Sequence, residues 1–131
     1  MEQKTVLYVE DNYHNRRIVR KILESRGYTV IEAEDGVSGL SMIRELKPPL
    51  ILMDIGLPGI DGLELVGLVK ADKALRQIPV IALTASAMAG DRERFLAAGC
   101  DDYLSKPVQA MELIKMVANY YPSSPNGKGG K

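Results

Sequence analysis

The chain has 131 residues, enough for one domain with a sizeable core, and 17 Lys and Arg balance 17 Asp and Glu. That neutrality leaves no basic footprint for nucleic acid, and no apolar stretch approaches the ~20 residues needed to cross a bilayer. Met1-Glu2-Gln3-Lys4 carries no signal-peptide core. The lone Cys100 permits no internal disulfide and no cysteine-rich zinc site, so a reducing cytoplasmic setting is expected.

Strand and helix signals alternate five times. Residues 5–9 read as a strand, and Asn12 then caps a helix with Ile18, Val19, Ile22 and Leu23 on one face, closed by Arg26-Gly27. Residues 28–33 are the second strand. Asp35-Gly36 turns into a helix carrying Val37, Leu40, Ile43 and Leu46, stopped by Pro48-Pro49. Residues 50–53 form the third strand, and Asp61-Gly62 opens a helix through Leu63, Leu65, Val66 and Val69. Residues 79–83 are the fourth strand, followed by a helix from about 87 to 98 that Gly99 ends. A short fifth strand at 102–104 precedes a last helix from about 109 to 121. Residues 122–131 offer nothing to a core and are expected to form a flexible tail.

The runs at 50–53 and 80–83 are apolar throughout rather than alternating, which signals burial on both faces. The expected fold is therefore α/β: a three-layer α/β/α sandwich on a five-stranded parallel sheet, with right-handed crossovers and strand order 2-1-3-4-5.

Parallel strands share a direction, so the residues ending the first, third, fourth and fifth strands emerge at one edge, where open α/β sheets bind ligands. Glu10 and Asp11 follow the first strand, Asp54 the third, Thr84 the fourth and Lys106-Pro107 the fifth. Two carboxylates ~4 Å apart repel by about 4 kcal/mol at an effective dielectric near 20, so three acids here call for protonation or a counter-cation. Oxygen donors without His or Cys point to a hard cation. A few carboxylates, a main-chain carbonyl and room for water and phosphate suit Mg²⁺. Glu10 or Asp11 alone is equally well explained as a cap of the first helix, but not the pair opposite Asp54. Lys106 supplies a mobile positive charge and Thr84 a hydroxyl, both suited to phosphate oxygens. A cis bond between Lys106 and Pro107 would aim the lysine back across the strand ends.

Four segments carry a family resemblance that spans residues 4–121: Val9-Glu10-Asp11-Asn12, Leu52-Met53-Asp54-Ile55-Gly56-Leu57-Pro58-Gly59-Ile60-Asp61-Gly62, Ala82-Leu83-Thr84-Ala85 and Tyr103-Leu104-Ser105-Lys106-Pro107. In this order and spacing the chain resembles the receiver (CheY-like) domain of two-component response regulators, of single-domain type, whose flavodoxin-like sheet has the strand order above. The resemblance implies a response regulatory domain over 1–121 and a tail over 122–131. It implies that Asp54 is the phosphoacceptor, taking phosphate from a histidine kinase or histidine phosphotransfer protein. Glu10, Asp11, Asp54 and the Gly56 carbonyl would hold Mg²⁺, Thr84 and the Ala85 amide would bind phosphoryl oxygens, and Lys106 would pair with another. Thr84 and Tyr103 would form a switch: the hydroxyl moves toward the phosphate and the ring swings inward. That would repack the face made by the fourth helix, fifth strand and fifth helix for a downstream protein target. Gly56 and Ser86 would tune hydrolysis. Such a protein catalyses only its own phosphorylation and dephosphorylation, as a monomer or weak dimer, with neither nucleic acid nor membrane as partner.

Arg16, Arg17, Arg20 and Lys21 read as a solvated face of the first helix or, by the same resemblance, as a dock for the phosphodonor. His14 reads as a surface residue and Cys100 as packing, while the methionines at 42, 88, 111 and 116 read as core or partner surface. A flavin or dinucleotide carrier would need a glycine-rich turn where Glu10-Asp11-Asn12 stands. An aspartyl-phosphate hydrolase would need a second acid at Gly56 and a substrate cap. A DNA-binding regulator would need an output domain, for which the segment after Tyr121 is too short. The alternatives left are a free-standing regulator and a receiver module excised from a larger hybrid kinase or regulator.

Overall fold

A computed structural model describes residues 4–57, 59–85 and 90–122. The elements are β1 (Lys4–Val9), α1 (Tyr13–Glu24), β2 (Tyr28–Ala33), α2 (Gly36–Leu46), β3 (Ile51–Asp54), α3 (Gly62–Ala71), β4 (Val80–Thr84), α4 (Asp91–Ala98), β5 (Asp102–Ser105) and α5 (Ala110–Tyr120). All strand pairs are parallel, as the doubly buried central runs implied, and the sheet order is the expected β2-β1-β3-β4-β5. Successive strand residues point to opposite faces, which gives two cores. Leu7, Val9, Ile51, Met53 and Val80 meet Ile43, Leu65, Val69 and Phe95 from α2, α3 and α4. Val6, Tyr8, Leu52, Ile81 and Leu83 meet Val19, Leu23, Leu113 and Val117 from α1 and α5.

The strands run one residue further than their apolar stretches, so Asp54 and Thr84 end β3 and β4 instead of following them. The ladder continues through these polar residues because main-chain pairing does: Ile55 N–H donates to Leu83 O at 3.0 Å and Lys106 N–H to Thr84 O at 2.8 Å. β4 starts at Val80 rather than Pro79, since proline has no N–H to donate. Asn12 caps α1 as expected, and Asp35 and Asp61, where the second and third helices were expected to open, cap α2 and α3: the three side chains accept from Asn15, Ser38 and Glu64 N–H at 2.9, 2.8 and 3.0 Å.

Two helix faces differ from their apolar patterns. On α1 the buried stripe is Arg16, Val19 and Leu23, with Ile18 exposed. On α2 Val37 and Leu46 are exposed, and Gly36, Gly39 and Ile43 face inward. A Cβ on Gly39 would lie 3.0 Å from Val9 Cγ1, so the helix approaches β1 through its glycine side. The first turn expected for the fourth helix at 87–90 lies partly outside the described residues, as do Ser86, Met88 and the tail beyond Pro122. Among the described residues no helix is long and apolar enough to cross a membrane.

Candidate functional site

The parallel topology delivers the strand-end residues to one edge. Glu10, anchored by its N–H on Ala33 O at 3.0 Å, leaves β1 beside Asp54 at the end of β3. One carboxylate oxygen each of Glu10, Asp11 and Asp54 lies within 4.8 Å of the others. Glu10 is 1% and Asp54 5% exposed, whereas Asp11 is open to solvent. Lys106 bridges the buried pair, with Nζ 2.9 Å from Glu10 Oε1 and 3.1 Å from Asp54 Oδ1. Asp54 Oδ1 also accepts the Gly56 N–H at 3.1 Å. Burial works against the Lys106 charge, but Glu10 and Asp54 outweigh it and hold the ammonium above its ordinary range.

These groups border an open hollow of about 420 Å³, which Gly56, Thr84 and Ala85 also line. Thr84 is 6% exposed at the end of β4, and Ala85 is exposed. Tyr103 stands apart from the hollow. Its half-buried ring meets Phe95 of α4 edge-on, centroids 5.6 Å apart. The Lys106–Pro107 bond is cis, and Pro107 lines a small cavity of about 70 Å³ on the α1 side with Tyr8 and Val108. A hollow of about 570 Å³ between α2 and Ile60 shares none of these residues. His14 is exposed, and Cys100 is buried, its thiol pushed up to about 11, chiefly by burial.

Two residues that hold the site were not given that role by the sequence reading. Arg16 is buried rather than part of a solvated face. Its Nη1 donates to Glu10 O at 2.8 Å, and its Nη2 lies 3.9 Å from Glu34 Oε2. Its Nε, without a hydrogen bond among the described residues, faces Glu32 Oε1 at 3.6 Å. Arg20 does meet the surface expectation in part, pairing with Glu24 at 3.0 Å and Glu32 at 2.9 Å. Tyr8 is wholly buried and donates its hydroxyl to Glu10 Oε1 at 2.8 Å. For Tyr8 a signal was available, since residues 8 and 10 leave an extended chain on one side; for Arg16 the shared helix face of 16, 19 and 23 did not by itself announce a buried cation.

The donor set fits a hard divalent cation. It offers three carboxylates, no nitrogen or sulfur ligand, an exposed acid at the rim, and space for water.

The response regulator receiver domain family matches residues 6–118. Polar-differentiation response regulators DivK of Brucella anthropi and Brucella ovis are each 45% identical over 117 residues, covering 89% of this chain and 95% of theirs. The receiver domain of sensor histidine kinase PA1611 from Pseudomonas aeruginosa, described with a magnesium ion coordinated in its active-site cleft, is 37% identical. It superposes with a TM-score of 0.85 over 93% of this chain and 100% of that one. Chemotaxis protein CheY4 of Vibrio cholerae, 26% identical, has a TM-score of 0.85 over 91% of this chain and 99% of its own. With the acidic edge, the sheet order and these matches together, the chain belongs to the response regulator receiver domain family.

Proposed function

We propose that this receiver is a phosphorylation-driven switch of a two-component phosphorelay, with residues 1–121 as the responding unit and Asp54 as the phosphoacceptor. The observation that carries the reading is the setting of Asp54. It is a nearly buried carboxylate at a strand end, fixed through Oδ1 by Gly56 N–H and Lys106, with two further acids within 4.8 Å. An oxygen of Asp54 attacks the phosphorus of a phosphohistidine. The P–O bond forms as the P–N bond breaks, and the electron pair stays on the imidazole nitrogen. Little covalent work falls to the protein, so positioning and charge compensation carry the rate. Lys106 exchanges its carboxylate partners for a phosphoryl oxygen, while the Thr84 hydroxyl and the Ala85 N–H donate to others. Glu10, Asp11, Asp54 and the Gly56 carbonyl would hold Mg²⁺. When bound, that ion offsets the negative charge shared by the acids and the incoming phosphoryl group.

Withdrawal of Thr84 toward the phosphate opens space beside Tyr103, whose ring turns inward from Phe95 and alters the α4–β5–α5 face that a protein target reads. Arg17 and Lys21, exposed on α1, suit contact with the histidine kinase or phosphotransfer donor. DivK relatives, spanned almost end to end by this chain, are named as response regulators, which supports the regulator reading. Incubation with acetyl phosphate and Mg²⁺, followed by intact mass, should add one phosphoryl group to the wild type and none to Asp54→Asn. EDTA should stop the reaction. Labelling of Asp54→Asn equal to wild type refutes the assignment, and an unchanged Tyr103 NMR environment in the beryllofluoride-bound form refutes the switch.

A further inference from the structure

We infer that Tyr8 is a positioning residue that biases the acidic site toward Mg²⁺ over Ca²⁺, by leaving Glu10 one oxygen to offer a cation; this rests on the reading of the site as a Mg²⁺ site. The Tyr8 ring is fully buried against the α1–α5 core, on a strand otherwise apolar from Val6 to Val9. Phenylalanine would serve that packing equally well, so the core does not call for the hydroxyl. The hydroxyl goes to Glu10 Oε1 at 2.8 Å, an oxygen that Lys106 Nζ also reaches at 2.9 Å. Glu10 Oε2 accepts only the Asn12 N–H among the described residues, at the longer distance of 3.2 Å.

The two donors on Oε1 differ in mobility. Lys106 sits on a flexible stem and moves away when a phosphoryl oxygen or a cation competes for it. Tyr8 is fixed by a central strand and a packed ring, so Oε1 keeps one acceptor position filled, and with it a fixed orientation, whatever Lys106 does. A carboxylate confined to one oxygen suits a small octahedral cation that keeps most of its water. A carboxylate with both oxygens available suits Ca²⁺, which takes six to eight oxygen ligands and often binds carboxylates bidentately. The hydroxyl thus acts as a denticity lock on Glu10.

The test is titration of the full chain with Mg²⁺ alone and Ca²⁺ alone, followed by backbone amide shifts at Asn12 and Gly56, in wild type and Tyr8→Phe. The ratio of Ca²⁺ to Mg²⁺ affinity should rise about tenfold in Tyr8→Phe, equivalent to about 1.4 kcal/mol. In a Glu10→Asp background the shorter carboxylate no longer reaches the hydroxyl, and adding Tyr8→Phe should leave the ratio unchanged. Mg²⁺ binding with an unaltered ratio in Tyr8→Phe overturns the role of Tyr8 while the site reading stands. A wild type that binds neither cation overturns the site reading itself. A Tyr8→Phe chain that does not fold also overturns the inference, because the hydroxyl would then belong to the core.

Discussion

Lys106→Met removes one charge while keeping most of the apolar stem that packs beside Pro107. In the wild type Nζ lies 2.9 Å from Glu10 Oε1 and 3.1 Å from Asp54 Oδ1. At an effective dielectric near 20, each contact is about 5–6 kcal/mol of gross attraction. The two carboxylates, with oxygens no more than 4.8 Å apart, repel by at least about 3 kcal/mol on the same scale. Desolvation of the ammonium cancels much of the gain, but removing one member of a buried pair leaves its partners uncompensated, at a cost of about 3–5 kcal/mol. The Lys106 side chain retains 19% exposure, which places the expected loss at the lower end, about 3 kcal/mol. Urea unfolding at pH 7 with EDTA measures it. Saturating Mg²⁺ should stabilise Lys106→Met more than wild type, because the cation meets more uncompensated charge. Adding Asp54→Asn to the variant should return most of the loss by removing the repulsion. A loss below about 1 kcal/mol without Mg²⁺, or equal Mg²⁺ stabilisation of both proteins, refutes this account of the cluster.

Arg16→Ala should cost about 3–5 kcal/mol in urea unfolding, since it strips the cation from Glu32 and the donor from Glu10 O. Arg16→Lys should recover less than half, as one ammonium cannot span the carbonyl and both carboxylates. Gly62→Ala should lose more than about 2 kcal/mol and slow labelling by acetyl phosphate. Its Cβ would press on the Asp54 carbonyl and lie 2.7 Å from Ile55 Cα, displacing the strand end that carries the acceptor. Stability should fall on the alkaline side. Burial, and then Glu10, raises the Tyr8 phenol; Glu10 and Asp54, against burial, raise Lys106; burial raises Cys100 to about 11. All three hold protons more tightly folded than unfolded, so the stability they contribute is complete below their unfolded values. It is lost from about pH 9 upward for Cys100 and from about pH 10 for Tyr8 and Lys106. A pH series of melting temperatures should show a decline that is shallower in Tyr8→Phe, and identical slopes would contradict it.

The βα alternation was legible because each element carries its own local signal. β3 and β4 are buried on both faces and so apolar up to their last residues, Asp54 and Thr84, and Asn12, Asp35 and Asp61 are strong caps at helix starts. Direction then follows from topology, which is why Glu10, Asp54, Thr84 and Lys106 could be placed at one edge from strand ends alone. Arg16 was not legible for a long-range reason. A cation among apolar positions on a helix normally turns to solvent. Here the parallel pairing of β1 with β2 brings Glu32 beneath α1 and gives the guanidinium partners 16 and 18 residues away. The outward turn of Val37 and Leu46 has a similar origin: Gly39 lets α2 close on Val9 of β1 and Gly36 lets it close on Ile60, and close approach outweighed the apolar stripe.

The charge arrangement explains why the proposed cation and phosphoryl group should depend on one another. Arg16 is committed to Glu32, Glu34 and a main-chain carbonyl, so at the hollow itself three carboxylates face one ammonium. Two negative charges remain, a balance that a divalent cation meets. On the proposed mechanism, a phosphoryl group arriving on Asp54 would bring further negative charge and draw Lys106 off Glu10, which would raise the demand for the cation at the moment of transfer. By linkage the preference is mutual: whatever factor phosphorylation adds to cation affinity, the cation adds to the stability of the phosphorylated form. Tyr8 matters in that state above all, because once Lys106 has moved it is the donor that still holds Glu10 Oε1 in place.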